Sequence, residues 1–187
     1  MTFSKAIILG NGQSRKNIII PQDVVVYGCN HIYKDDIKVD VVVSTDIPMQ
    51  HEIYQSGYAK TNKCVFLNWT SVDAGIVPFL GVTNPIQNVP TEHGVVIGTY
   101  QNKDYITYID EHDAVEVIDI LDLPMEFSSG SLAMWHAAIS GYKEITLAGF
   151  GDSTHCYTEN YTGPNPIWQQ ERNYIINRFS NINWRKI

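Results

Sequence analysis

The chain has 187 residues, of which 44% are hydrophobic and 18% charged, and this fits one soluble domain with a sizeable core. Its formal net charge of −7 argues against non-specific binding to nucleic acid, because that attraction requires a basic surface. The scattered cysteines Cys29, Cys64 and Cys156 match neither a disulfide framework nor a zinc-binding spacing. No apolar run reaches the ~20 residues that span a bilayer, and no signal peptide is recognisable, so we expect a cytoplasmic protein without a membrane span.

The first predicted strand and the turn after it are the most informative segment. Four apolar residues at 6–9 predict a strand, which breaks into the sequence GNGQS at 10–14. Its two glycines let the backbone approach a ligand, while Asn11 and Ser14 offer hydrogen bonds. The spacing matches neither a dinucleotide site nor a phosphate loop. The segment therefore predicts either a nucleotide-binding turn of another kind or a tight structural turn.

The rest of the chain alternates apolar strands with helices and polar loops. We predict a short helix at 15–20, strands at 24–28, 39–43 and 64–67, and a helix at 49–57. A hairpin around 95–108 is either part of an insertion at about 85–125 or an edge extension of the sheet, and 115–123 fits either a strand or one helical face. A buried helix at 131–140, a strand at 144–148, an amphipathic helix at 166–179 and a strand at 182–187 follow. This order predicts a single Rossmann-like α/β domain over 1–187, with a mostly parallel sheet and helices on both faces.

Polar segments follow several of these strands. Ligands of open α/β sheets bind beyond the carboxyl ends of the strands, so we expect the site where these segments meet. One of them, Ser128-Ser129-Gly130, precedes a helix whose free amides and dipole suit a phosphate, although serine is also an ordinary helix cap. The others are 10–14, Asn30-His31, Ser44-Thr45-Asp46 and 149–152.

The loop after the strand at 144–148 carries the candidate catalytic groups. His155 could remove a proton from an acceptor hydroxyl while Asp152 orients it, or it could be a solvated loop histidine. Tyr157 and Tyr161 in the same loop could line a sugar pocket. These side chains predict acid–base chemistry at the end of that strand.

Three further polar side chains lie near predicted strand ends. Arg15 is the nearest cation to the glycine turn and either pairs with a phosphate or is an exposed arginine at a helix start. His31 could reach a phosphate, although capping or packing explains it as well. Asp46 could contact a ribose hydroxyl or a metal ion.

Four stretches of the chain resemble bacterial sialyltransferases that use CMP-activated sialic acid. They are IILGNGQS at 7–14, CNHIY at 29–33, SSG at 128–130 and GYKEI at 141–145, in the family's order and at similar separations. The first stretch also resembles, more distantly, glycan-transfer accessory proteins and pterin diphosphokinases.

This resemblance implies a glycosyltransferase that binds a CMP-sugar and transfers the sugar to a hydroxyl of an unknown glycan or small molecule, with no metal and no other cofactor. It places Gly10, Asn11, Gly12, Ser14, Asn30, Ser128, Ser129 and Gly130 on the nucleotide. With the candidates above, the catalytic set is His155, Asp152 and Tyr157, and the sugar or phosphate contacts are His31, Thr45, Asp46 and Tyr161. The sequence leaves a homo-oligomer open.

Two departures from the family keep other functions open. The chain is short after its last matching strand, and no histidine follows His155, so the family's general base is missing or relocated. One alternative is therefore a nucleotide-binding or sensing module without transfer chemistry. Another is a nucleotide-dependent diphosphokinase, in which Asp46 and Asp152 would hold the required magnesium.

Overall fold

The computed structural model describes residues 4–67, 69–70, 84–88, 96–100, 104–108, 115–151 and 153–187. The chain divides into two compact units, one formed by Met1–Thr45 with Phe127–Ile187 and the other by Asp46–Glu126. The organisation as a single domain with an insertion at about 85–125 stays a prediction. Within the described ranges, no helix combines the length and the apolar character needed to cross a bilayer.

The regular elements are named here in chain order. The strands are β1 (Lys5–Leu9), β2 (Val25–Cys29), β3 (Val41–Ser44), β4 (Cys64–Leu67), β5 (Trp69–Thr70), β6 (Asn84–Asn88), β7 (Val96–Tyr100), β8 (Asp104–Tyr108), β9 (Val115–Ile118), β10 (Glu144–Ala148) and β11 (Asn183–Lys186). The α-helices are α1 (Ile47–Gln55), α2 (Ser129–Ile139) and α3 (Pro166–Arg178).

A parallel sheet forms the core of the first unit, with its strands in the order β11-β10-β1-β2-β3. Ile8 of the central strand lies opposite Leu147 of β10 and Tyr27 of β2, and all three side chains are buried. Strands that are covered on both faces have continuous apolar sequences, and for this reason the apolar runs predicted these strands. The predicted Rossmann-like α/β fold with a mostly parallel sheet is confirmed.

The two faces of this sheet are covered by different elements. Tyr27 points to one face, where its hydroxyl and Nδ1 of His136 on α2 are 2.9 Å apart. Gly28 points to the other face, where a Cβ would lie 2.4 Å from the Ile32 side chain in the 3₁₀ helix Asn30–Lys34. The short helix predicted at 15–20 is a second 3₁₀ helix, Gln13–Asn17, which ends earlier because β-branched residues and a proline at 18–21 disfavour a longer helix.

The helices of the first unit follow their sequence signals. α2 is mostly buried and is followed by Gly141, whose positive φ of 90° suits the position after a helix end. α3 begins where Oδ1 of Asn165 accepts a hydrogen bond from the Ile167 amide at 3.0 Å. Trp135 of α2 packs against Tyr174 and Phe179 at the end of α3, so the two helices share an aromatic contact.

The second unit contains two sets of paired strands. β4 pairs in parallel with β9, and a smaller sheet has the order β5-β8-β7-β6. The pair β7–β8 is antiparallel and is the hairpin predicted around 95–108. The ambiguous segment at 115–123 contains β9 and then one 3₁₀ turn, which Asp119 caps by accepting a hydrogen bond from the Leu121 amide.

His51 of α1 is a buried histidine of the second unit. It is 6% exposed, and neither ring nitrogen has a hydrogen-bond partner in the described part of the chain. Burial lowers its pKa, because the charged imidazolium is poorly solvated there. The buried His51 side chain therefore lowers the free energy of unfolding at neutral pH and lowers it further in acid.

We expect His51→Leu to raise the free energy of unfolding by about 1 kcal/mol at neutral pH, because an unpaired buried polar group is removed. In the wild type the pKa of His51 is lower in the folded state than in the unfolded state. Its titration therefore does not reduce the free energy of unfolding above a pH of about 6.5. This free energy falls by up to about 1.4 kcal/mol per pH unit as the pH drops toward the folded-state pKa. Urea unfolding of the wild type and of His51→Leu between pH 7.5 and 5 measures this pH dependence. If the free energy of unfolding changed with pH by the same amount in both proteins, the prediction would be wrong.

Candidate functional site

The carboxyl ends of β1, β2, β3 and β10 lie next to one another in the first unit, as the parallel order requires. Two hydrogen bonds join the polar segments that follow these strands. Oγ of Ser44 donates to Oδ1 of Asn30 at 3.0 Å, and the Thr45 amide donates to Oγ of Ser129 at 3.0 Å. These bonds thus bring predicted segments from three parts of the sequence to one edge.

The glycine turn after β1 packs against the turn after β10. A Cβ on Gly10 would lie 2.6 Å from the carbonyl oxygen of Gly149, closer than real Cβ atoms approach. The Gly12 amide donates to the same oxygen at 3.0 Å, and Gly149 has a positive φ of 71°. The glycine at position 10 is therefore required by the close approach of two protein loops.

The polar loop at 153–161 lies across this turn. Gly12 and His155 form an isolated antiparallel bridge, and the Cys156 amide donates to the Asn11 carbonyl oxygen at 2.8 Å. The loop with the predicted catalytic residues is thereby fixed to the predicted nucleotide-binding turn. Ser14, the last residue of that turn, is exposed.

Arg15 is buried, with 2% of its surface exposed, so the exposed-arginine interpretation is wrong. Nε donates to Sγ of Cys156 at 3.3 Å, and Nη2 donates to Oδ2 of Asp35 at 2.7 Å and to the Tyr157 hydroxyl. Asp35 and Cys156 could not be identified as its partners from the sequence, because neither has a spacing that points to Arg15. This arginine links the turn after β1, the segment after β2 and the polar loop.

Two polar atoms of the turn after β1 are buried without a hydrogen-bond partner in the described part of the chain. They are Oδ1 of Asn11 and Nη1 of Arg15. Buried polar groups in folded proteins are nearly always paired, so these two atoms are expected to have partners outside the described residues. One is an acceptor and the other a cationic donor, which suits a ligand with both hydroxyl and phosphate groups.

Asn30 has a backbone conformation that is uncommon outside glycine. Its φ is 53°, in the left-handed region that asparagine tolerates better than most residues. Because its Oδ1 accepts the hydrogen bond from Ser44, its NH2 group is the donor that it can offer to a ligand. Strained residues of this kind cluster at functional sites.

The Tyr157 ring lies against the Arg15 guanidinium and belongs to a cluster of four rings. The Tyr157 ring centroid lies 5.2 Å from Cζ of Arg15 and 5.3 Å from the His31 ring centroid. The His155 centroid lies 5.9 Å from that of Tyr157 and 5.1 Å from that of Tyr161. The predicted residues His31, His155, Tyr157 and Tyr161 therefore form one cluster.

The protonation of this cluster follows from its surroundings. Burial lowers the pKa of His155, and the charges of Arg15 and His31 lower it further, so the ring is neutral at pH 7. Its Nδ1 accepts a hydrogen bond from the Tyr157 amide at 3.2 Å, which places the proton of the neutral ring on Nε2. Burial raises the pKa of Tyr157, a hydrogen bond to Asp35 adds to the rise, and Arg15 opposes it. His155 thus presents a donor at Nε2, and Tyr157 keeps its proton.

The start of α2 carries an internal anion. Oε2 of Glu171, a residue of α3 that is 4% exposed, accepts hydrogen bonds from the Ser128 amide at 3.0 Å and the Ser128 hydroxyl at 2.6 Å. A Cβ on Gly130 would lie 2.9 Å from the Phe150 ring. Glu171 could not be identified from the sequence, because a glutamate on an amphipathic helix is typical of a solvated residue.

The structure describes one of the two predicted carboxylates. Asp46 precedes α1 in the second unit and is exposed. Asp152 lies outside the described residues. Among the residues that the structure describes, no group of three or more histidine, cysteine or acidic side chains is arranged to hold a metal ion. Their roles as sugar contact, catalytic carboxylate or magnesium ligand stay predictions.

Comparisons with known proteins give one structural likeness. No family model matches the chain, and no curated protein matches it in sequence. A crystal structure of an apo alpha-2,3-sialyltransferase from Campylobacter jejuni is similar over 98% of this chain and 75% of that chain. The two share 16% sequence identity with a TM-score of 0.49, which is a distant structural resemblance.

Proposed function

We propose that this protein binds a nucleotide sugar at the carboxyl edge of the sheet in its first unit and acts as a glycosyltransferase-like protein. The observation that carries the proposal is that two buried atoms after β1, Oδ1 of Asn11 and Nη1 of Arg15, have no hydrogen-bond partner among the described residues. Together they complement a ligand that contains a hydroxyl donor and a phosphate acceptor. Nucleotide sugars contain both.

The surrounding groups support an anionic ligand. Nε2–H of His155 and the Arg15 guanidinium would donate to the phosphate oxygens, and the NH2 group of Asn30 would reach the ribose or the sugar. The sequence resemblance favours CMP as the nucleotide. The net charge of −7 is no obstacle, since the cationic groups are local to the site.

In a transfer reaction, an acceptor hydroxyl would attack the anomeric carbon as the bond from that carbon to the nucleotide phosphate oxygen breaks. The acceptor proton would go to a base, and the leaving phosphate would be stabilised by the donors just described. The predicted catalytic set is His155, Asp152 and Tyr157. To act as the base, His155 would have to release the Tyr157 amide from Nδ1 or exchange its tautomer.

The same hydrogen bond favours a second candidate function, a nucleotide-binding module without transfer chemistry. With Nδ1 engaged and the proton on Nε2, the ring of His155 is a hydrogen-bond donor to a bound anion. Burial raises the pKa of Tyr157, so its hydroxyl keeps its proton and does not serve as a base. Such a module would bind the nucleotide and leave the glycosidic bond intact.

We expect calorimetry with CMP, UMP and GMP and with CMP-, UDP- and GDP-sugars to show binding of at least one ligand. Asn11→Ala should weaken that binding about tenfold, because a hydrogen bond in the buried turn is lost. Asn173→Ala changes an exposed asparagine of α3 and should leave the affinity unchanged.

Release of free sugar or a glycosylated product would assign the glycosyltransferase. Binding without turnover, tested with a panel of sugar acceptors, would assign the binding module. If no nucleotide binds, or if Asn11→Ala binds as tightly as the wild type, the proposed site is wrong.

A further inference from the structure

We propose that Arg172 of α3 binds a carboxylate or phosphate group of a second ligand, at a site separate from the nucleotide contacts proposed above. No sequence motif includes this arginine. In a transfer reaction the second ligand is the acceptor, because the nucleotide phosphate is assigned to Arg15. The anion site itself is independent of the proposed function, and only the identity of its ligand as the acceptor rests on that function.

Arg172 is a buried cation without a direct counter-ion in the described part of the chain. It is 8% exposed, although arginine is seldom buried unless it is paired with an opposite charge. No carboxylate oxygen of the described residues lies within 4 Å of its guanidinium nitrogens, whereas Arg15 has Asp35 at 2.7 Å. Burial lowers the pKa of Arg172, and the charge of the preceding Glu171 opposes this shift. Oε2 of Glu171 itself accepts hydrogen bonds from Ser128. A bound anion would supply the missing counter-ion.

The guanidinium of Arg172 also has donors to offer. Its one hydrogen bond within the described residues runs from Nη2 to Oε1 of Gln169, at 2.8 Å. An arginine carries five N–H donors, so most of them remain for a ligand. Their planar fork matches the paired oxygens of a carboxylate or a phosphate, and this defines the chemical class of the ligand.

Arg172 lies beside the turn after β10, at the carboxyl edge of the sheet. Its Cζ is 5.9 Å from the ring centroid of Phe150, and that ring would lie 2.9 Å from a Cβ on Gly130 at the start of α2. A second cation borders the next residue of the turn, since a Cβ on Gly151 would lie 3.2 Å from Nζ of Lys186. Lys186 is exposed and has no carboxylate oxygen within 4 Å among the described residues. Two cations at one turn raise the local positive potential and favour an anion there.

The test compares glucose, glucuronic acid and glucose 6-phosphate, which share one ring and differ in charge. Calorimetry measures their affinities for the wild type and for Arg172→Gln, with and without CMP. The glutamine keeps a donor for Gln169 and removes the charge. We expect the wild type to bind at least one of the two acids about tenfold more tightly than glucose, and Arg172→Gln to lose most of that ratio. Arg178→Gln removes the same charge from the exposed end of α3 and should keep the wild-type ratio.

A wild type that binds the three compounds equally, or binds none of them, would overturn the anion site even if Arg172→Gln failed to fold. An unchanged ratio in a folded Arg172→Gln would overturn it as well. Should that variant not fold, Arg172→Lys keeps the charge without the planar fork and should lose part of the ratio, and an unchanged ratio there would contradict the site.

The same titrations separate the anion site from the nucleotide site. Asn11→Ala should keep the preference for the acid, and a loss of that preference would place the acid on the nucleotide turn and overturn a separate site. An acid preference that depends on Arg172, in a protein that binds no nucleotide, would support the anion site and overturn the proposed function. Tighter binding of glucuronic acid would assign a carboxylate as the ligand group, and tighter binding of glucose 6-phosphate a phosphate.

Discussion

Gly10→Ala is expected to lower the free energy of unfolding by about 3 kcal/mol, the upper end of the cost of overfilling a packed site. The added Cβ would lie 2.6 Å from the carbonyl oxygen of Gly149 and 3.1 Å from Phe150. The nearest atom belongs to the backbone, so no side-chain rotation relieves the overlap. The turn after β10, whose Ala148 carbonyl accepts the Gly10 amide at 2.8 Å, would have to move. Urea unfolding without nucleotide measures the loss.

Gly141→Ala is the matched control for this variant. Gly141 has a positive φ of 90°, and a Cβ there would meet no atom within 4 Å. Its substitution should cost about 1 kcal/mol, from backbone strain alone. If Gly10→Ala costs no more than this control, the close packing of the two glycine turns is wrong. The glycine would then be free to serve the approach of a ligand, as one reading of the sequence predicts.

The fold could be predicted from the sequence because its signals are local. The apolar runs of β1, β2, β3 and β10 locate the central strands, and the parallel order follows from the segments between them. The convergence of Asn30, Thr45 and Ser129 was also predictable, since carboxyl ends of neighbouring parallel strands meet at one edge.

The partners within the site could not be predicted, because they depend on contacts distant in sequence. Arg15 meets Asp35 across 20 residues and Tyr157 across 142, and Ser128 meets Glu171 across 43. No residue spacing encodes such pairs. For the same reason, Gly149 could not be identified as the neighbour of Gly10 from the sequence. A glycine indicates that some group approaches the backbone closely, but not which group it is.

Asp35→Asn is expected to destabilise the protein by about 3 kcal/mol, the cost of leaving one partner of a buried ion pair uncompensated. Arg15 cannot lose its charge, and its side chain is 0% exposed, so the variant leaves a buried cation without its carboxylate. Arg15→Met should cost less, since Asp35 keeps 28% of its side chain exposed and can be hydrated. The double variant should cost less than the sum of the two, and urea unfolding of all four proteins measures the coupling.

The exposed pair Lys63–Glu116 provides the control for this cycle. Its atoms are 2.9 Å apart, but its side chains are 48% and 43% exposed. Glu116→Gln should therefore change the free energy of unfolding by no more than about 0.5 kcal/mol. Similar costs for Asp35→Asn and Glu116→Gln would mean that the Arg15 cluster is hydrated and does not fix the polar loop.

Nucleotide affinity in the same variants separates the structural role of Arg15 from its proposed role toward a ligand. Arg15→Met removes the cation and should weaken nucleotide binding by about tenfold or more, as expected for a lost charged hydrogen bond. A folded Asp35→Asn keeps the cation and frees it from its carboxylate, so its affinity should equal or exceed that of the wild type. If both variants lose affinity equally, Arg15 acts only by holding Tyr157 and the polar loop in place, and the phosphate is bound elsewhere.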